Sequence, residues 1–254
     1  MASIVPSLPI EINELAMLLD VDGTILDIAM TPHAVRVPDS LRRSLARLAR
    51  RLEGAVALVS GRSVADLDLI FAPLRLPAVG GHGAEIRSSA NGNSYRRRAT
   101  PLHPALKQRL FAIAECDPGV VIEDKGYSLA VHYRLAPERE HEVREAVAAI
   151  WADATPRALE VLPGKAVVEI KQSGFDKGTA IRELMACPPF RGRRPVFIGD
   201  DITDEAAFAI LPEFAGMGIS VGRTVAGVTC HFETPRQVRR WLKHMSEAQH
   251  RGAP

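Results

Sequence analysis

The sequence predicts an α/β protein: a parallel-sheet core interrupted by an inserted α+β domain. Two observations carry this. Short continuous apolar runs at 16–19, 55–59 and 195–198 stop abruptly at polar or glycine-containing turns, with helical periodicity between them. Strands covered on both faces by helices read this way. From about 105 to 173 the pattern changes to helix, hairpin, helix, hairpin, the composition of a small unit on an antiparallel sheet. The expected division is a core of 1–104 and 174–254 and an insert of 105–173.

The first run ends in Asp20-Val21-Asp22-Gly23-Thr24. Two carboxylates two residues apart point to one side if strand geometry persists. Residues 36–53 follow as a helix with Leu41, Leu45, Leu48 and Leu52 on one face and Asp39 or Ser40 as cap. Its arginines, Arg42, Arg43, Arg47, Arg50 and Arg51, read as a solvated face. The run at 55–59 ends in Ser60-Gly61-Arg62, and Ser63 opens a helix with Asp66 three residues on. A right-handed crossover between the two runs places Asp20 and Ser60 on one edge of a Rossmann-like sheet. Residues 78–87 form another strand end, with His82 between Gly81 and Gly83, where backbone can approach a ligand closely. Asn91-Gly92-Asn93 signals a hairpin turn and Arg96-Arg97-Arg98 an exposed run.

The insert begins with a helix over 102–116. Strands at 119–123 and 127–134 flank Asp124-Lys125-Gly126, and a helix spans 137–154. Strands at 159–162 and 166–170 are joined at Pro163-Gly164-Lys165. The core pattern then resumes. Asp176 caps a helix that carries Lys177, and the strand at 195–198 runs into Gly199-Asp200-Asp201-Ile202-Thr203-Asp204-Glu205. Late strands at 215–221 and 228–232 precede a closing helix with Pro235 at its favoured first position.

Composition excludes several classes. A net charge of +2 with 5% aromatics argues against nucleic acid, which wants strong basic patches and stacking platforms. No apolar run is long enough to span a bilayer. The N-terminus lacks Lys or Arg before residue 36 and does not read as a signal peptide. Cys116, Cys187 and Cys230 form no metal-ligand spacing and read as reduced, buried small hydrophobes. The expectation is a cytoplasmic monomer with no membrane partner, and Gly252-Ala253-Pro254 reads as a loose tail.

Asp20 and Asp22, Ser60, Lys177, and Asp200 with Asp201 and Asp204 therefore collect on one rim of the sheet. Several carboxylates in one place repel unless a cation sits among them. All-oxygen donors with room for substrate suit Mg²⁺. Lys177, the Ser60 hydroxyl and helix N-termini can hold phosphate oxygens. Aspartate is an established nucleophile toward phosphoryl groups, forming an aspartyl-phosphate.

These motifs, in this order, resemble the haloacid dehalogenase (HAD) superfamily of phosphohydrolases, with the insert resembling the α/β cap (type IIB-like) of its sugar-phosphate branch. The sequence is most similar to the trehalose-6-phosphate phosphatase family. Val59-Ser60-Gly61-Arg62, Gly81-His82-Gly83-Ala84-Glu85, Glu123-x-Lys125, His132-Tyr133-Arg134, Glu169-Ile170-Lys171 and the 199–205 stretch carry the similarity, which covers about 15–245. The resemblance implies Mg-dependent hydrolysis of trehalose 6-phosphate to trehalose and phosphate. In it Asp20 is the nucleophile and Asp22 the acid and base. Asp20, the Asp22 carbonyl and Asp200 hold Mg²⁺, and Asp201 or Asp204 supports the metal. Ser60 and Lys177 hold phosphate. Gly61, Arg62, His82, Glu123, Lys125, Arg134 and Glu169 face the substrate, with Glu123, Lys125 and Glu169 matching the family's sugar-binding cap residues. Two alternatives stand beside this: action on another sugar phosphate, as a phosphatase or phosphomutase, and a non-catalytic sugar-phosphate-binding regulator.

Overall fold

A computed structural model describes residues 14–31, 34–92, 96–97, 99–153, 159–228 and 230–248. The signal-peptide reading of the first residues, Asn93 of the hairpin turn, the side chains of Arg96, Arg97 and Arg98, and the tail ending Gly252-Ala253-Pro254 lie outside them. The strands in chain order are β1 (Leu15–Leu19), β2 (Val56–Val59), β3 (Ala78–Gly80), β4 (Glu85–Arg87), β5 (Arg96–Arg97), β6 (Val121–Asp124), β7 (Ser128–His132), β8 (Leu159–Gly164), β9 (Val167–Gln172), β10 (Arg194–Gly199), β11 (Met217–Val221) and β12 (Cys230–Phe232). The helices are α1 (Asp39–Arg51), α2 (Val64–Phe71), α3 (Pro104–Ala114), α4 (Glu140–Asp153), α5 (Lys177–Met185), α6 (Glu205–Ile210) and α7 (Pro235–Glu247). They divide into two compact units. One holds the described residues of 1–28, 35–96 and 177–254, the other those of 29–34 and 97–176.

The first unit is built on an eight-stranded sheet of order β12-β11-β10-β1-β2-β3-β4-β5. Strands β12 to β3 run parallel, and β4 turns back antiparallel on β3. Chain order climbs one way from β1 to β3 and the other way from β10 to β12. The winding therefore reverses between β1 and β10, where open α/β sheets leave a crevice at the carboxyl ends of strands. All five residues of β1 are buried, because helices cover both faces. Leu41, Leu45 and Leu48 of α1 are at most 2% exposed and contribute roughly 1.5–3 kcal/mol each by burial.

The α1 arginines do not form one solvated face. Arg42 donates to the Val37 and Ile70 carbonyls, Arg51 to those of Met245 and Ala248, and Arg47 reaches the Glu247 carboxylate at 3.4 Å, so three of the five tie the helix to its neighbours. The cap also differs from expectation. Pro38 occupies the N-cap without a side-chain bond, since its ring supplies no acceptor, and Asp39 pairs with Arg42 instead. Helix α2 starts as expected, with Ser63 Oγ accepting from Asp66 N at 3.0 Å. Thr234 caps α7, with Pro235 in its first turn.

Arg87 on β4 is 2% exposed and donates two 2.6 Å bonds to Asp68 of α2. Burial would raise the Asp68 carboxyl, but the Arg87 hydrogen bonds and charge, with Arg75, outweigh it and hold the pKa below 3.8. A folded pKa below the unfolded one stabilises above about pH 4, and that contribution is lost as pH falls through the folded value. Asp68→Asn is expected to cost about 2 kcal/mol at neutral pH, because a buried guanidinium loses its charge partner. Urea denaturation at pH 7 and at pH 3 checks it, since the difference between variant and wild type must shrink at the lower pH.

The second unit carries an antiparallel sheet of order β6-β7-β9-β8. Leu129, Val131, Val168 and Ile170 share one face by strand alternation and form a core with Leu110 of α3 and Val143, Val147 and Ile150 of α4. The β8–β9 connection is tighter than expected. Gly164 pairs with Val167, so Pro163 and Gly164 belong to the strand and Lys165-Ala166 makes a two-residue turn, with Ala166 at φ 61°. Cys116 is exposed, unlike the buried cysteine expected, because it lies beyond the end of α3. Among the described residues, no helix is long and apolar enough to cross a membrane.

Candidate active site

Asp20 leaves the end of β1 and Asp200 the end of β10, on the two sides of the reversal point. Gly23, at φ 88°, turns the chain sharply after Asp22. A Cβ there would stand 2.2 Å from Asp200 Oδ2, so only glycine lets the two strand-end loops meet. Thr24 Oγ1 donates to Asp200 Oδ1 at 2.9 Å and joins them.

Asp20, Asp200 and Asp204 are buried, and one oxygen from each lies within 4.8 Å of the others. At an effective dielectric near 20, each such pair of charges repels by roughly 3–4 kcal/mol. Lys177, at the start of α5, answers this from inside. Its Nζ donates to Asp20 Oδ1 at 2.8 Å and Asp204 Oδ1 at 2.6 Å while itself 2% exposed. Burial alone would depress the ammonium, but the Asp20 and Asp204 charges win and drive its pKa upward. Burial, with the Asp204 and Asp200 charges, pushes the Asp20 carboxyl well up against the pull of Lys177. The local charge balance is one ammonium against three carboxylates, with oxygen the only donor type. That donor set fits a hard divalent cation.

Asp201 and Asp204, adjacent in the motif, have different neighbours. A 3-10 turn over Ile202–Asp204 points the Asp204 carboxylate back into the cluster. Its Oδ2 accepts from the Asp200 and Asp201 amides at 2.8 and 2.9 Å, while Oδ1 meets Lys177. The Asp201 carboxylate instead caps that turn, accepting from Ile202 N at 2.8 Å. Asp204 thus stands with Asp20 and Asp200, and Asp201 holds the turn.

Asp22 lies outside the triad. Both its oxygens are held by Arg62, Nε to Oδ2 at 2.6 Å and Nη2 to Oδ1 at 2.8 Å. Such a fork-to-fork pair fixes carboxylate orientation as well as charge. Ser60 is 1% exposed at the end of β2, and its Oγ accepts from Arg62 N at 3.1 Å. His82, at φ 53°, lies against this loop, and a Cβ on Gly61 would be 2.3 Å from its Nε2. Glu85 serves the scaffold: its Oε2 accepts from Val64 N at 2.7 Å, placing a carboxylate at the positive end of α2.

In the second unit, Glu123 and Glu169 are aligned across the sheet through Ala130, on the face opposite the apolar core. Lys125 Nζ donates to Glu169 Oε2 at 2.8 Å, and His132 Nε2 lies 3.0 Å from Glu123 Oε2. Burial raises the Glu123 carboxyl, but Lys125 and His132 prevail and hold it below its usual range. Arg134 donates to the Lys165 carbonyl. Of the residues expected to face a ligand, Glu123, Lys125 and Glu169 share one side of this sheet, whereas Arg134 lies past the end of β7. Alternation along the strand puts His132 on the face of Ala130 and allows a cross-strand contact, and the structure supplies Glu123 as its partner.

Comparison with known proteins gives the family and the fold. Residues 18–232 match the sequence profile of the family described as Trehalose-phosphatase. The chain is 41% identical over 220 residues to a probable trehalose-phosphate phosphatase of Sinorhizobium fredii, covering 86% of this chain and 82% of that one. It is 36% identical over 245 residues to trehalose-6-phosphate phosphatase of Escherichia coli, covering 92% and 87%. The fold matches the C-terminal domain of C. albicans trehalose-6-phosphate phosphatase with a TM-score of 0.81 at 22% identity, over 92% of each chain.

Proposed function

The chain belongs to the trehalose-phosphatase family of enzymes, and on that premise we propose that it hydrolyses trehalose 6-phosphate to trehalose and inorganic phosphate with Mg²⁺ held by Asp20, the backbone carbonyl of Asp22, and Asp200. The observation that carries the reading is the buried Asp20–Lys177–Asp204 arrangement, at the strand ends where the sheet reverses, with Asp200 in the same cluster. A carboxylate held against an ammonium, beside further carboxylates, suits nucleophilic attack on phosphorus rather than binding alone.

In the proposed reaction an Asp20 oxygen bonds to phosphorus as the bond from phosphorus to the sugar oxygen breaks. Asp22, with one of its two Arg62 bonds opened and that oxygen protonated, gives the proton to the leaving oxygen. Water then attacks the aspartyl-phosphate, losing a proton to Asp22, and the Asp20–phosphorus bond breaks to release phosphate. Ser60 and Lys177 bind the phosphoryl oxygens, Arg62 orients Asp22, and Gly61 and His82 line the approach. Asp204 orients Lys177 and the 200–201 amides. The divalent ion supplies charge neutralisation for the phosphoryl group. Glu123, Lys125 and Glu169 are assigned to the sugar, because hydroxyls need acceptors and donors together. Arg134 is assigned to the same recognition, and the second unit is read as a specificity cap.

The test is initial rates on a panel of sugar phosphates with Mg²⁺. Trehalose 6-phosphate is expected to lead the other sugars by at least about tenfold in kcat/KM, a factor worth 1.4 kcal/mol of transition-state binding. A faster rate with glucose 6-phosphate overturns the substrate. Chelation is expected to remove activity, and adding Mg²⁺ back to raise the melting temperature. At a hundred times its Kd a bound ion adds about 2.7 kcal/mol of stability.

A further inference from the structure

Among the described residues, the polar face of the second unit's sheet holds one ionisable ring that the proposed function does not use. His132 lies on β7, two residues from Ala130, which pairs with Glu123 across the β6–β7 ladder. A histidine at that diagonal reaches a long cross-strand side chain. Its Nε2 sits 3.0 Å from Glu123 Oε2, and both side chains are largely shielded, at 20% and 16% exposure. Glu123 also feels the Lys125 charge, while the Lys125 ammonium bonds Glu169. The three assigned sugar contacts are thereby linked to one another, and His132 grips one end of the set from a neighbouring strand.

We propose that His132 is a positioning residue for sugar recognition: it pins Glu123 Oε2 and leaves Oε1 aimed to accept from a sugar hydroxyl. The inference rests on the assignment of Glu123 to the sugar and adds to it a residue that never touches substrate. A free glutamate samples several rotamers, and each must be given up when a hydroxyl binds. A hydrogen bond made beforehand removes that cost from the binding step, which is preorganisation. The effect therefore falls on substrate capture and not on phosphoryl transfer, whose groups all belong to the other unit.

The experiment is steady-state kinetics on full-length His132→Ala, His132→Gln, Glu123→Ala and the Glu123→Ala/His132→Ala double variant. The substrates are trehalose 6-phosphate and p-nitrophenyl phosphate, an ester with no sugar. His132→Ala is expected to raise KM for the sugar phosphate about five- to tenfold while kcat changes less than about twofold. Turnover of the aryl ester, which also reports a folded core, is expected to stay within that same factor. His132→Gln keeps an N–H donor and is expected to recover most of the loss. In the double variant, KM is expected to match Glu123→Ala alone, because a group that acts only through Glu123 has nothing left to position. A wild-type KM in His132→Ala, or losses that add in full, overturns the inference while the assignment of Glu123 stands. A wild-type KM in Glu123→Ala overturns that assignment and this inference with it.

Discussion

Asp20→Asn is expected to reduce phosphate release from trehalose 6-phosphate by at least about four orders of magnitude, the scale on which losing a nucleophile is felt. The amide is isosteric but cannot attack phosphorus, so nothing else in the cluster compensates. Fold should survive, because the substitution removes one of three carboxylates that crowd within 4.8 Å. Lys177 keeps its 2.6 Å bond to Asp204. A cooperative urea transition accompanied by lost turnover is the expected pair of results. Turnover near the wild-type level would sink the covalent mechanism, and a collapsed transition would instead mark Asp20 as structural.

Lys177→Met is expected to behave differently, losing both activity and stability. Here the buried cation goes while three carboxylates stay, and stranding buried charge costs about 3–5 kcal/mol. The Asp20 pKa is raised in the fold, so its contribution is fully present below pH 3.8 and declines as pH rises through the folded value. The Lys177 pKa is raised too, so its contribution persists below pH 10.5 and is lost only above that. The stability gap between variant and wild type should therefore be wide at pH 7 and narrow toward pH 4, where the carboxylates can take up protons. Urea midpoints across that range measure it. A gap independent of pH would mean that lost packing, and not charge, explains the defect. Adding Mg²⁺ at pH 7 is expected to narrow the gap as well, by supplying positive charge to the same oxygens.

The core could be read from sequence because its signals are local. A run such as 16–19 must be a covered strand, and the turn after it must break, so Asp20 and Asp200 fall at strand ends whatever the rest of the chain does. Ser63 and Pro235 announced their helices by the same local chemistry. Reading was poorest where a side chain had two plausible destinations. The α1 arginines looked solvated because sequence shows only their spacing. Ile70, Met245 and Ala248, whose carbonyls they bind, come from elsewhere in the chain. The β8–β9 turn moved by two residues because strand pairing let Pro163 and Gly164 extend the ladder.

By itself, the sequence determined which residue types reach the rim of the sheet and that the middle third forms a separate antiparallel unit. Both follow from apolar periodicity and turn chemistry acting over a few residues. Tertiary structure alone decided how those residues divide the work. Asp204 joins the buried cluster and Asp201 does not, because a single 3-10 turn sends neighbouring carboxylates to different partners. Arg62 holds Asp22 across 40 positions and Thr24 holds Asp200 across 176. Such pairings depend on side chains meeting from distant segments, and no spacing along the chain encodes them.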